Sequence, residues 1–192
     1  MLADEFNCDV YGIDMNQDYI RTAQKISAII PTNGSTTFIN GDALNLPYED
    51  GFFDVVWTQH VQMNIEDKTT FYSEIKRVLK DQGIFIYYDI FKKIDLDIYF
   101  PVPWANSPSI SHLQTIENMN NILTHLEFRK TQTSNQTQGA INFLNETQKK
   151  KSIKNEIGLN VLLGNSTRKK LNNVLKSLKE DKIEIQSGIY KK

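Results

Sequence analysis

Short strands alternating with helices between Asp9 and Ile90 predict an α/β fold built on a mostly parallel, doubly wound sheet. Two further observations support it. The run Ile84 to Ile90 is nearly continuously apolar, as a strand covered on both faces must be. Two acidic residues, Asp14 and Asp42, stand at the ends of neighbouring predicted strands, where open sheets of this class receive ligands.

Met1 to Phe6 has the pattern of a helix tail, and Asp9 to Asp14 is a short apolar strand. Asn16 is placed to cap a helix in which Tyr19, Ile20, Ala23, Ile26 and Ile30 recur at helical spacing; Pro31 and Asn33-Gly34 stop it. Thr36 to Asn40 supplies the next strand, and a polar loop from Gly41 to Gly51 leads into the strand Phe53 to Thr58. Asp67 caps a further helix with Phe71, Ile75, Val78 and Leu79 on one face, and Gly83 follows as its left-handed terminator.

After Ile90 the rhythm breaks. Tyr99-Phe100-Pro101-Val102-Pro103-Trp104-Ala105 has no consistent period, and its two prolines forbid a helix interior, so residues from about 91 to 112 form an insertion behind a strand's C-terminal end. A helix near His112 to Leu126, a polar strand near Phe128 to Thr133 and a helix from about Gln138 to Lys150 come next. Ser166 or Thr167 caps a helix that aligns Leu171, Val174, Leu175 and Leu178, and Ile183 to Tyr190 alternates as the last, antiparallel strand.

The 192 residues suit one domain, and a hydrophobic content of 40% is ordinary for a soluble globular chain. No run approaches the roughly 18 apolar residues of a membrane span. The acidic start, with Asp4, Glu5 and Asp9, lacks the pattern of an export signal. Cys8 is the single cysteine, which leaves no internal disulfide and no thiolate metal cluster. A cytoplasmic protein is expected. Charge is divided: residues 1–90 carry a net −8 and residues 91–192 a net +7. The basic residues, including Lys149-Lys150-Lys151 and Arg168-Lys169-Lys170, fall on solvated helix faces without interleaved aromatics, which disfavours nucleic acid as a ligand.

A carboxylate at the position of Asp14 accepts hydrogen bonds from ribose hydroxyls, a pattern that nicotinamide enzymes share. The discriminating segment is Ile39-Asn40-Gly41-Asp42-Ala43-Leu44-Asn45-Leu46-Pro47-Tyr48, followed by Phe52-Phe53-Asp54-Val55-Val56-Trp57. With these residues, and with Glu74 to Gly83, the chain resembles the class I S-adenosylmethionine-dependent methyltransferases, whose fold is Rossmann-like. The insertion and Gly158-Leu159-Asn160-Val161-Leu162-Leu163-Gly164 look most like the branch of dimethylglycine and phosphoethanolamine N-methyltransferases and quinone C-methyltransferases.

The resemblance implies S-adenosylmethionine as cofactor and a small-molecule acceptor methylated at an amine nitrogen or an activated carbon. It assigns Asp14 to the ribose, Met15 to packing against the adenine, Asp42 to the adenine amino group and Ala43 to the backbone beside it. Gln59 and His60 would lie against the methionine portion. His60 is also the histidine placed to act as a base. Tyr99, Phe100 and Trp104 are candidates for a lid over the acceptor, where aromatic faces attract methylated ammonium groups by about 0.5 to 2 kcal/mol each. Tyr87 and Tyr88 end the strand before the insertion, and Tyr88 is taken as the one lining the acceptor side. Displacement at a sulfonium requires no metal.

The family's first strand and its Gly-rich turn have no counterpart here. The chain is therefore expected to be a methyltransferase domain over residues 1–192 with its first strand missing. Two apolar strands then keep unpaired edges, which a second copy or a partner chain would fill. The alternative is an inactive remnant of the fold that serves as a partner subunit.

Overall fold

The computed structural model describes residues 2–93, 97–149 and 159–192, and the chain divides into two units, Met1–Asp50 and Gly51–Lys192. The first contains α1 (Leu2–Glu5), β1 (Val10–Asp14), α2 (Gln17–Ile29) and β2 (Thr36–Asn40). β1 and β2 pair in parallel, with Val10 opposite Thr36 and Asp14 opposite Asn40, so their C-terminal ends stand level. Asn16 caps α2 as predicted, its side chain accepting from the N–H groups of Asp18 and Tyr19, two of the donors that a helix start leaves without partners. The helix's apolar stripe is only partly covered: Ile20 is 3% exposed, but Ile26 and Ile30 are 49% and 52% exposed. Gly34 ties α1 to the strand ends by donating to the Ala3 carbonyl at 3.1 Å. A Cβ at Gly34 would stand 2.1 Å from the Cys8 carbonyl oxygen, so only glycine permits this approach.

In the second unit β3 (Phe53–Gln59), β4 (Leu79–Lys92), β6 (Ile183–Lys191) and β5 (Arg129–Asn135) lie in that order across one sheet. β3 and β4 are parallel, and β6 runs antiparallel to both its neighbours, so the last strand is the reversed one and inserts between β4 and β5. No described strand pairs with the second edge of β1 or of β3.

Side chains alternate along β4. On one face Phe85 packs 6.0 Å from the ring of Tyr72, in α3 (Lys68–Val78), and 6.1 Å from Phe128, just beyond α4 (Ile116–His125). On the other, Ile90, Ile183 and Ile185 join Leu144 of α5 (Thr137–Lys149) and Val174, Leu175 and Leu178 of α7 (Thr167–Lys179) in the principal apolar core. Ile98, Val102 and Ala105 of the insertion are buried in that same core.

Three local expectations are corrected. Gly83 does not terminate α3: the helix ends at Val78, Leu79 already pairs with Phe53, and the left-handed residue is Gln82 at φ 67°. Gly83 serves a close approach instead, since a Cβ there would lie 2.8 Å from the Lys80 carbonyl oxygen. The helix expected from His112 starts at Ile116, because Gln114 is held extended by the Lys92 N–H at 2.9 Å and Thr115 caps the Asn118 N–H at 3.1 Å. Ser166 stands at the start of α7, yet its hydroxyl donates backward to Leu163 at 3.3 Å and leaves that helix without a side-chain cap. A short helix the spacing did not announce, α6 (Leu159–Leu163), precedes it. Lys150, Lys151, Gly158 and residues 94–96 lie outside the described residues. No described helix is long and apolar enough to cross a membrane.

Candidate functional site

In the first unit, Asp14 ends β1 and Asp42 follows the end of β2 by two residues. The two ends are joined tightly. The Gly41 N–H donates to the Asp14 carbonyl at 3.1 Å, and the Asn40 side-chain amide donates to the carbonyls of Asp14 and Met15 at 2.9 and 2.8 Å. Asp14 Oδ1 accepts from the Asn16 N–H at 2.7 Å, and Asp42 Oδ1 accepts from the Leu44 N–H at 2.9 Å. Each carboxylate is thus fixed through one oxygen by its own loop. Met15 beside them is 71% exposed, an apolar side chain held out of the core, and Ala43 is half-buried.

In the second unit Gln59 closes β3 opposite Tyr88 and is exposed. His60 takes a left-handed conformation at φ 54°, and its N–H donates to the Tyr88 carbonyl at 3.0 Å. Its ring meets the Tyr88 ring edge-on, with centroids 5.3 Å apart. His60 is exposed overall, and partial desolvation of its imidazole lowers its pKa from the ordinary histidine value.

The four aromatics expected on the acceptor side divide. Tyr88, Phe100 and Trp104 pack against the principal core, and Trp104 Nε1 donates to Ser111 at 2.9 Å. Val102 and Ala105 bond each other's backbone at 2.8 and 3.2 Å, so Trp104 lies on a tight turn. Tyr99 goes elsewhere: its ring receives the Lys176 and Lys182 ammonium groups at 3.8 and 4.1 Å from the centroid, and its hydroxyl donates to Glu180 at 2.7 Å. The cation that this ring holds is the chain's own.

The polar groups behind His60 carry no motif. Asp89, 1% exposed, accepts from the N–H groups of Val61 and Gln62 through Oδ2, each at 3.4 Å. Burial raises its carboxyl to about 7. Lys68, 9% exposed, donates its ammonium to the carbonyls of Gln62, Ile65 and His112, and burial lowers it to about 8. A charged residue within the largely apolar run Ile84 to Phe91 was the one signal available for Asp89.

Residues 1–87 match the family model described as "Methyltransferase domain". The chain is 30% identical over 113 residues to 2-methyl-6-phytyl-1,4-hydroquinone methyltransferase of Synechocystis sp., a match covering 59% of this chain and 34% of that protein. The chain thus spans about a third of the length of that relative, and the match to ajmaline N-methyltransferase of Rauvolfia serpentina, 32% identical over 77 residues and 40% of this chain, covers 26% of it. Among solved structures, a phosphoethanolamine N-methyltransferase 2 of Haemonchus contortus in complex with phosphomonomethylethanolamine and S-adenosylhomocysteine superposes with a TM-score of 0.77 at 18% identity, over 100% of this chain and 45% of that one. At that identity the likeness concerns the fold. Residues 1–87 thus match the methyltransferase domain family, and the described residues share the Rossmann-like fold of solved methyltransferases.

Proposed function

We propose that the chain transfers a methyl group from S-adenosylmethionine to a small-molecule acceptor, at an amine nitrogen or an activated carbon. The observation that carries this reading is the pair of carboxylates on the level ends of β1 and β2, each anchored through one oxygen. Anchoring and ligand binding use different oxygens, so the loop-capping bonds pre-orient the second oxygen of each group. Asp14 then accepts from ribose hydroxyls, and Asp42 from the adenine amino group. The exposed Met15 side chain offers an apolar surface to the base, and Ala43 lets its backbone approach.

When bound, S-adenosylmethionine supplies an electrophilic methyl group on a sulfonium. Transfer proceeds in line and consumes positive charge, so the protein's tasks are alignment and exclusion of water. Gln59 and His60 contact the methionine portion. His60, with its lowered pKa, is neutral at physiological pH and accepts at a ring nitrogen the proton that an amine acceptor releases. Tyr88, Phe100 and Trp104 cover the acceptor, and Tyr99 anchors that cover to the end of α7.

The relatives named above are called after small-molecule acceptors, which supports the same class here rather than nucleic acid. The proposal extends to residues 1–192 as one methyltransferase domain, with its acceptor-side insertion at about 91–112, working in the cytoplasm. A second copy or a partner chain would supply a strand for the open edges of β1 and β3.

The test is calorimetry with S-adenosylhomocysteine. Hydrogen bonds to a charged group are worth about 1.5 to 3 kcal/mol, so Asp14→Ala and Asp42→Ala should each weaken binding about tenfold or more. Affinities equal to the parent's in both variants would remove the carboxylates from the site.

A further inference from the structure

We propose that Asp89 and Lys68 are positioning residues that hold the turn from His60 to Ile65, and with it the His60 side chain, one through the turn's donors and the other through its acceptors. The inference rests on the methyltransferase reading for the purpose of that turn and on the geometry for everything else. A left-handed conformation at a residue other than glycine persists only where its surroundings over-determine it. At His60 they do. A left-handed residue followed by Val61 at φ −106° and ψ −47° directs successive N–H groups to one side, a backbone arrangement that binds anions. The anion in place is the Asp89 carboxylate from β4, facing the N–H groups of Val61 and Gln62.

The acceptors of the same turn are taken by a buried cation. The Lys68 ammonium, from the first turn of α3, takes the carbonyls of Gln62 and Ile65 and also that of His112 at 2.7 Å. The His112 N–H in turn donates to Met63 at 2.9 Å, so the end of the insertion is fastened to the turn as well. Donors of the turn are matched to a buried anion and its acceptors to a buried cation. Burial opposes the charge on both residues, and a turn needing only cover would be served more cheaply by apolar side chains. The charged groups facing Asp89 are Lys68 and, as neutral phenols, Tyr72 of α3 and Tyr87 of β4.

The experiment uses the full chain and the near-isosteric variant Asp89→Asn, with S-adenosylhomocysteine as the probe. In the parent, amide signals of His60, Val61 and Gln62 should shift together with a midpoint near 7, and affinity should fall as pH drops through that midpoint. In D89N the amide titration should vanish, with affinity at pH 8 about fivefold or more weaker and independent of pH through that range. Lys68→Met, which leaves the carboxylate in place, should displace the same amides and serves if D89N does not fold. Amides that ignore both variants, or D89N binding as tightly as the parent, overturn the proposal. A parent that binds no S-adenosylhomocysteine while its amides still follow Asp89 instead overturns the reading of the site, and the positioning role with it.

Discussion

In the proposed function His60 is where the chemistry and the local backbone meet, and its sign of titration is a usable handle. A pKa below the ordinary histidine value of about 6.5 leaves the imidazole neutral at pH 7, ready to accept a proton. Under the proposed function, methyl transfer to an amine should decline as pH falls, first through the Asp89 midpoint near 7 and then along a second limb as the His60 ring, followed by its ring protons in NMR, takes up a proton below the ordinary histidine range. His60→Gln should lower turnover by about a hundredfold, the lower end for a positioned base, and remove that acid limb. Turnover close to the parent's would reduce His60 to packing against Tyr88. Residue placements of this kind are only partly legible in a sequence. The positions of Asp14 and Asp42 at strand ends were, because strand ends follow from periodicity. The partners of Tyr99 were not: the sequence shows an aromatic cluster, while the lysines that occupy its ring stand at 176 and 182, brought there by the fold.

Among the elements, legibility followed how local the deciding interaction is. Asn16 and Asp67 cap their helices as expected, since a cap bonds N–H groups two or three residues away. The start of α4 was misplaced because a strand contact, Lys92 to Gln114, overrides helical spacing up to the cap at Thr115. Thr115→Ala should consequently cost about 1 kcal/mol in denaturant unfolding, as loss of a Thr cap does; no measurable cost would mean that α4 starts elsewhere. Gly188 makes a sharper case. It sits opposite Tyr87 between β6 and β4, and a Cβ there would lie 2.6 Å from the Tyr87 ring, which is 1% exposed and hemmed by Phe85, Phe91 and Tyr190. The ring has no room to yield. Gly188→Ala should destabilise the second unit by about 1 to 3 kcal/mol, the usual cost of overfilling a packed interior, and an unfolding midpoint equal to the parent's would show the sheet to be looser than described.

Across the whole molecule, the alternation of strands and helices was legible in the apolar runs and helix caps, whereas the insertion of β6 between β4 and β5 and the buried charges were not, because Lys68 and Asp89 are separated by 20 intervening residues and are brought together by the fold. Their burial makes the second unit's stability depend on pH in a way the sequence would not suggest. The folded Asp89 carboxyl is raised to about 7, above the ordinary value of about 3.9. Between those values the folded chain holds a proton that the unfolded chain has lost, so stability falls as pH rises from about 4 to 7. Lys68 is lowered to about 8, below an ordinary value of about 10.4. There the unfolded chain holds the extra proton, and stability rises from about pH 8 to 10. The two contributions leave a shallow minimum between about 7 and 8, where both residues are charged in the folded chain. Trp57 and Trp104, the chain's two tryptophans, both lie in the second unit, so their fluorescence during denaturant unfolding reports that unit directly. Unfolding at pH 5, 7.5 and 9.5 should give the lowest midpoint at 7.5; Asp89→Asn should abolish the fall on the acid side while keeping the rise on the basic side, and Lys68→Met should do the reverse. A parent whose midpoint climbs from pH 5 to 7.5 would mean that the Asp89 carboxylate is stabilised in the fold rather than strained by it.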